Sequence, residues 1–193
     1  MHVAMKIVGT AIAGVALGLA ATWFVTSRGD MGDGVADGPW RTSLVAGSLQ
    51  SDPYTRARVA LHGLLALNRN ETIYYTATED GSGRRLDGKC RYQISGRDPN
   101  TRWWSVTAYG GDDYLIPNAK NLYSVSATSV IRKKDGSFVV DVGGGARPRA
   151  DASWIPAGEG TFSLTLRLYN PGPDVAIDPE HAALPEIHRV WCP

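Results

Sequence analysis

The chain lacks any excess of one charge. Its 193 residues carry 20 Lys and Arg against 19 Asp and Glu, for a formal net charge of +1. A nucleic-acid footprint needs a clustered basic excess and a solvating tail needs an acidic one, so neither class fits. Cysteine is almost absent as well, with only Cys90 and Cys192 present. Two thiols so far apart make neither a zinc-ligand pair nor a redox Cys-x-x-Cys, which require close spacing. The chain also has no Gly-x-Ser-x-Gly elbow, His-Glu-x-x-His pair or phosphate-binding glycine loop. No cofactor and no metal are therefore expected, and the residues leave open whether this is an enzyme.

What is present begins with an uncharged run of 20 residues, 7–26. At 1.5 Å per residue such a helix is about 30 Å long, the thickness of a bilayer core. Lys6 precedes the run, Arg28 follows it, and Trp23 lies near its outer end, where an interfacial indole is favourable. A cleaved signal peptide is the rival reading, with Gly18 and Ala20 as small residues before a cut. The apolar run continues through Trp23, Phe24 and Val25, past where such a core should stop, so residues 1–26 are expected to be a retained anchor. Basic residues set the orientation, and Lys6 with the α-amino group places the N-terminus inside. The expected location is a bacterial inner membrane, crossed once, with the rest of the chain periplasmic.

Residues 27–38 hold four glycines and three aspartates with little to bury, and are expected to form a tether. The piece Asp30-Met31-Gly32-Asp33-Gly34 faintly resembles a calcium loop but lacks its alternating ligands and closing Glu. Residues 39–193 have the size of one domain, since a single core typically serves about 100–200 residues. Asp52-Pro53 is a helix start, an N-cap with proline at the first helical position. Tyr54, Ala57, Leu61, Leu64 and Leu65 then recur at helical spacing, predicting a helix to about Leu67 with its apolar stripe against a sheet. His62 beside that stripe is expected to be structural. Strands are predicted at 72–78, 90–95, 102–109, 123–129, 137–142, 162–169 and 187–191, and Asp135-Gly136 suggests a type I′ hairpin turn. The fold class is thus mainly β: an antiparallel sandwich or jelly-roll-like domain with one packed helix, behind one transmembrane helix. In an oxidising compartment Cys90 and Cys192 could pair; two unrelated buried thiols are the alternative.

Candidate chemistry is sparse. Glu180-His181 and Glu186-x-His188 could offer metal ligands, but two histidines in a proline-punctuated segment are more often solvent-facing. Asp112-Asp113 could do acid–base work, yet Gly-Gly-Asp-Asp is also an ordinary turn. Strand alternation gives the most suggestive set. Phe162, Leu164, Leu166 and Leu168 share a core face, which leaves Ser163, Thr165, Arg167 and Tyr169 on the other. Trp103, Ser105, Thr107 and Tyr109 form a similar polar and aromatic set, opposite Trp104, Val106 and Ala108. If these faces coincide, Trp103, Tyr109, Arg167 and Tyr169 are the candidate ligand-binding residues: rings stack on sugar or lipid faces and a guanidinium grips an anion. Alternatively, helix 53–67 covers this face and the rings simply pack beneath it.

Three groups of motifs resemble a known family. Glu71-Thr72-Ile73-Tyr74, then Asp80-Gly81-Ser82-Gly83 and Leu86-Asp87-Gly88, are similar to the opening of domain of unknown function 1214. Trp104-Ser105-Val106-Thr107-Ala108-Tyr109 and Leu115-Ile116-Pro117-Asn118 look like its central stretch. Ser153-Trp154-Ile155-Pro156 and Phe162-Ser163-Leu164-Thr165-Leu166-Arg167-Leu168-Tyr169-Asn170-Pro171 resemble its C-terminal signature. The resemblance covers roughly residues 40–191 and implies a β-sandwich. Many members carry the domain behind another, domain of unknown function 1254; here a membrane helix and tether are expected in that place.

These features lead to an expected function. The chain is expected to be a membrane-anchored envelope protein, held through residues 7–26, that binds a glycan, a lipid or an envelope protein without catalysis. The alternative is an envelope enzyme acting on a carbohydrate or other small substrate, with Arg167, Tyr109 and an acidic loop residue contributing.

Overall fold

The computed structural model describes residues 2–28, 34–43, 45–61, 67–143 and 150–193. The calcium-like piece at 30–33, His62, Leu64 and Leu65 lie outside them. Helix α1 (His2–Arg28) comes first, and its stretch Val3–Thr26 is long and apolar enough to cross a membrane. No residue of its most apolar window is buried inside the protein, and most of its apolar side chains are exposed. A soluble helix keeps a polar face toward water; this one has none.

Two sheets follow. The larger has six strands, all antiparallel, in the order β1 (Gly34–Asp37), β2 (Trp40–Ser43), β3 (Thr72–Ala77), β9 (Phe162–Pro171), β5 (Thr101–Gly110) and β6 (Ser124–Ser126). The smaller has four, in the order β10 (Glu186–Trp191), β4 (Arg91–Gly96), β7 (Phe138–Val142) and β8 (Ser153–Ile155). Its β7–β8 pair is parallel, so this sheet is mixed rather than purely antiparallel as expected. Residues 34–37, expected in the tether, pair with β2 as strand β1.

Period-two alternation explains the core. Ile73, Tyr75 and Ala77 on β3, Leu164, Leu166 and Leu168 on β9, and Trp104, Val106 and Ala108 on β5 all turn to one side and are buried. They join Tyr92 and Ile94 of β4, Phe138, Val140 and Val142 of β7, and Ile155 and Ile187 in one hydrophobic cluster. Aromatic contacts bridge the sheets: Trp104 stacks on Phe138 with ring centres 4.9 Å apart, and Tyr92 meets Phe162 edge-on at 5.7 Å.

The chain's end is fastened to this core at several points. Cys90 is disulfide-bonded to Cys192, closing a sequence separation of 102 residues. The Trp40 indole donates to the Pro185 carbonyl at 2.7 Å and the Tyr75 hydroxyl to the Pro179 carbonyl at 2.9 Å. Asp80, with a side chain 1% exposed, accepts from Arg189 Nε at 2.8 Å and from the Ser82 and Arg84 backbone N–H groups at 2.9 and 3.1 Å. Burial pushes the Asp80 carboxyl up, but the hydrogen bonds and the Arg189 charge outweigh it and hold the group below the usual carboxylate range.

Two elements differ from expectation. Asp52 does cap helix α2 (Pro53–Leu61), accepting the Tyr54 N–H at 2.8 Å and the Thr55 N–H at 3.2 Å. Yet the buried residues of α2 are Thr55 and Arg58, while Tyr54 and Leu61 of the apolar stripe are exposed. The Asp135-Gly136 turn is not type I′, because positive φ occurs only at Gly136 (81°) and not at Asp135. The Lys133 carbonyl accepts the Gly136 N–H at 3.0 Å, and the Asp135 carboxylate accepts the Ser137 N–H at 3.0 Å. The turn leads into β7 of the smaller sheet, whereas β6 before it belongs to the larger.

Candidate functional site

The outward face of the larger sheet carries what the core does not use. Register sets Trp103 opposite Tyr169, Ser105 opposite Arg167, Thr107 opposite Thr165 and Tyr109 opposite Ser163. On the other flank of β9, Thr72 pairs with Tyr169, Tyr74 with Arg167 and Thr76 with Thr165. Partners in register point to the same side of a sheet, so these residues form one surface rich in hydroxyl groups and rings. From Trp103 to Tyr109 it runs six residues along β5, about 20 Å at the usual strand rise. Thr72, Ser105, Thr107 and Thr165 are buried, whereas Trp103, Tyr109, Arg167, Tyr169 and Tyr74 are half-buried.

The four candidate residues form two pairs on this face. At one end, Trp103 and Tyr169 lie with ring centres 5.2 Å apart, tilted by 57°. Toward the other, Arg167 leans along the strand. Its Nη2 donates to the Tyr109 hydroxyl at 2.7 Å and its Nη1 to the Thr107 hydroxyl at 3.3 Å. Its guanidinium carbon lies 5.5 Å from the Tyr109 ring centre and 5.8 Å from that of Tyr74. Sequence reasoning missed Tyr74, although Thr72, Tyr74 and Thr76 alternate with Ile73, Tyr75 and Ala77. The signal was present, but without knowing that β3 neighbours β9 nothing connected Tyr74 to Arg167. Burial pushes the Tyr74 hydroxyl above its ordinary range, opposed by its hydrogen bond with the Leu67 backbone.

Among the described residues no carboxylate pairs with Arg167. Its neighbours are neutral hydroxyl groups and the electron-rich faces of two rings. A guanidinium has five N–H donors, and the two bonds to Thr107 and Tyr109 leave others for an incoming anion. Two other arginines contrast with it. Arg189 is matched to Asp80, and Arg132 makes a two-pronged pair with Asp98 at 2.9 and 3.0 Å.

The remaining candidates have local partners. Asp112 accepts the Tyr114 N–H at 3.1 Å in an exposed turn, and Asp113 has a positive φ of 64° there. His181 pairs with Asp178 at 3.0 Å and His188 with Glu186 at 2.7 Å. The described residues hold no cluster of three or more His, Cys, Asp or Glu able to bind a metal. An open depression of about 370 Å³ lies on the smaller sheet, bordered by Arg97, Lys133, Leu184 and Glu186. It includes none of the four candidates.

Comparison with a solved structure agrees with this architecture. The chain is similar in fold to the VPA0106 protein of Vibrio parahaemolyticus, with a TM-score of 0.63 and 24% identity. The match covers 96% of this chain but 46% of that one, so this chain spans less than half the length of that relative. An uncharacterised protein of Burkholderia cenocepacia aligns at a TM-score of 0.44 and 20% identity, over 88% of this chain and 38% of that one. No curated protein matches. A family model described as protein of unknown function DUF1214 matches residues 71–173, which hold β3 to β9 and with them Arg167 and its surrounding rings. The chain belongs to that family.

Proposed function

We propose that this chain is a membrane-anchored binding module whose outward sheet face holds an acidic, elongated ligand, with Arg167 gripping the anion. One observation carries the reading: a half-buried guanidinium set among rings and hydroxyl groups with no carboxylate partner among the described residues. Removing a cation partly from water without a counter-ion costs free energy, which its two hydrogen bonds and ring contacts offset only in part. An anion would complete the site. The Trp103–Tyr169 pair offers a stacking surface at the far end, and the half-buried Tyr109 and Ser163 add hydroxyl groups that suit a polar chain such as a sugar. An acidic oligosaccharide is the simplest ligand with all three properties.

In this reading α1 spans the inner membrane once with the N-terminus in the cytoplasm, and the two sheets form a periplasmic sandwich of jelly-roll type. The apolar surface of α1 and the Cys90–Cys192 bond, which suits an oxidising compartment, support that placement. Residues 7–26 serve as the anchor and residues 27–38 as a partly strand-forming connection. Thermal melting of the full chain in detergent tests the ligand class. Oligogalacturonate should raise the melting temperature of the parent, a neutral cello-oligosaccharide less, and Arg167→Lys should weaken the response because Lys lacks the planar fork. Equal responses to both sugars, or no response to either, would contradict the reading.

A further inference from the structure

Helix α2 leaves its largest apolar side chains exposed. Tyr54, Ala57 and Leu61 stand at i, i+3 and i+7 and share one face. Tyr54 is 45% exposed and Leu61 68%, while Arg58, at i+4 from Tyr54 on the edge of that face, and Thr55 beside it are 7% and 2% exposed. Leu49 just before the helix is 94% exposed, and its carbonyl accepts a hydrogen bond from Arg56 at 2.7 Å, which ties it to α2. Leucine and tyrosine left exposed beside a buried arginine are not explained by folding alone.

Its position supplies the explanation. Arg58 Nε donates to the Val25 carbonyl at 3.2 Å, and Val25 lies one residue from the end of the apolar stretch Val3–Thr26. That carbonyl is among the last four of α1, which have no partner inside their own helix and carry the negative end of its dipole. A nine-residue helix is only about 14 Å long, so with Arg58 seated there all of α2 lies close to the end of the span. The helix carries Arg56 and Arg58 and no acidic residue. Leucine, an amphipathic tyrosine ring and the exposed Arg56 are the chemistry of the headgroup region.

We propose that α2 is an interfacial foot, its Tyr54–Ala57–Leu61 face and Leu49 seated among the lipid headgroups of the bilayer that α1 crosses. The inference rests on the reading of α1 as a membrane span. The foot holds the β domain against the membrane instead of leaving it on a loose tether.

Site-directed spin labelling separates the two claims. The full chain is reconstituted in phosphatidylcholine–phosphatidylglycerol vesicles, with single variants Leu17→Cys, Leu49→Cys, Leu61→Cys and Lys134→Cys labelled without reductant so that the native disulfide persists. The label at 17 should be accessible to oxygen and shielded from an aqueous nickel chelate. The label at 134, on an exposed turn, should show the reverse. Labels at 49 and 61 should have oxygen-to-nickel accessibility ratios several-fold above that at 134 and below that at 17. A bilayer value at 17 with values at 49 and 61 equal to that at 134 overturns the foot and leaves the anchor standing. An aqueous value at 17 overturns both. Dipolar broadening at 61 that grows with protein density identifies a second copy as the occupant and also overturns the foot.

Discussion

Strand β9 presents two faces that obey different rules. Inward, Leu164, Leu166 and Leu168 are fully buried and meet a second sheet, so each is accounted for by apolar area removed from water. Outward, Ser163, Thr165, Arg167 and Tyr169 form a surface whose central charge has no carboxylate partner among the described residues. Position along the chain cannot explain the contrast, since the two sets interleave residue by residue. One face is what folding requires. The other retains a half-buried cation, which the proposed anion site would account for.

The comparison can be broken first on the inner side and its fastenings. Asp80→Ala leaves Arg189 without its carboxylate, and removing one member of such a buried pair typically costs about 3–5 kcal/mol. Leu166→Ala should cost about 2–5 kcal/mol through lost transfer energy and the cavity it leaves. Cys192→Ser opens the Cys90 bond and should cost ~2–4 kcal/mol without changing the fold. Urea unfolding of each variant measures these losses. Loss of less than about 1 kcal/mol at Leu166 would show that the inner face is not packed as described.

Acid should act on the same fastening. The Asp80 carboxyl is held below its unfolded-state range, so its contribution to stability is complete above that range and is lost as pH falls through the lower folded value. Melting temperature should therefore decline at acidic pH, and less steeply in Asp80→Asn than in the parent. His181 is shifted the other way. Its hydrogen bond to the Asp178 carboxylate raises it, so a small contribution is complete below its unfolded range and fades as pH rises through the folded value. Because that pair is exposed, His181→Gln should change melting very little.

How far the residues alone revealed this molecule depends on what each pattern encodes. Alternation in β5 and β9 assigns side chains to faces, so the core of the larger sheet and the outward set containing Arg167 were both legible. Alternation does not name neighbouring strands, which is why Tyr74 was missed and the parallel β7–β8 pair was not foreseen. β1 and β2 are four residues each, and Gly34-Val35-Ala36-Asp37 has too little apolar content to stand out from a linker. The Asp52-Pro53 start of α2 was legible because capping is local. Its orientation was not, because helical spacing shows which residues share a face and is silent on what that face meets. The disulfide was one of two open readings, decided only when the fold brought Cys90 and Cys192 together.

The outer face carries the smallest expected stability effect and the central claim. The measurement is the melting temperature of Arg167→Leu against the parent, each in phosphate-free buffer and again with oligogalacturonate. Without anion, the variant should melt within about 1 kcal/mol of the parent, or above it, because an apolar side chain of fair size relieves the cost of a half-buried charge. With anion, only the parent should rise. A variant that loses as much stability as Leu166→Ala, beside a parent that does not respond to the anion, would make Arg167 a structural residue and contradict the account.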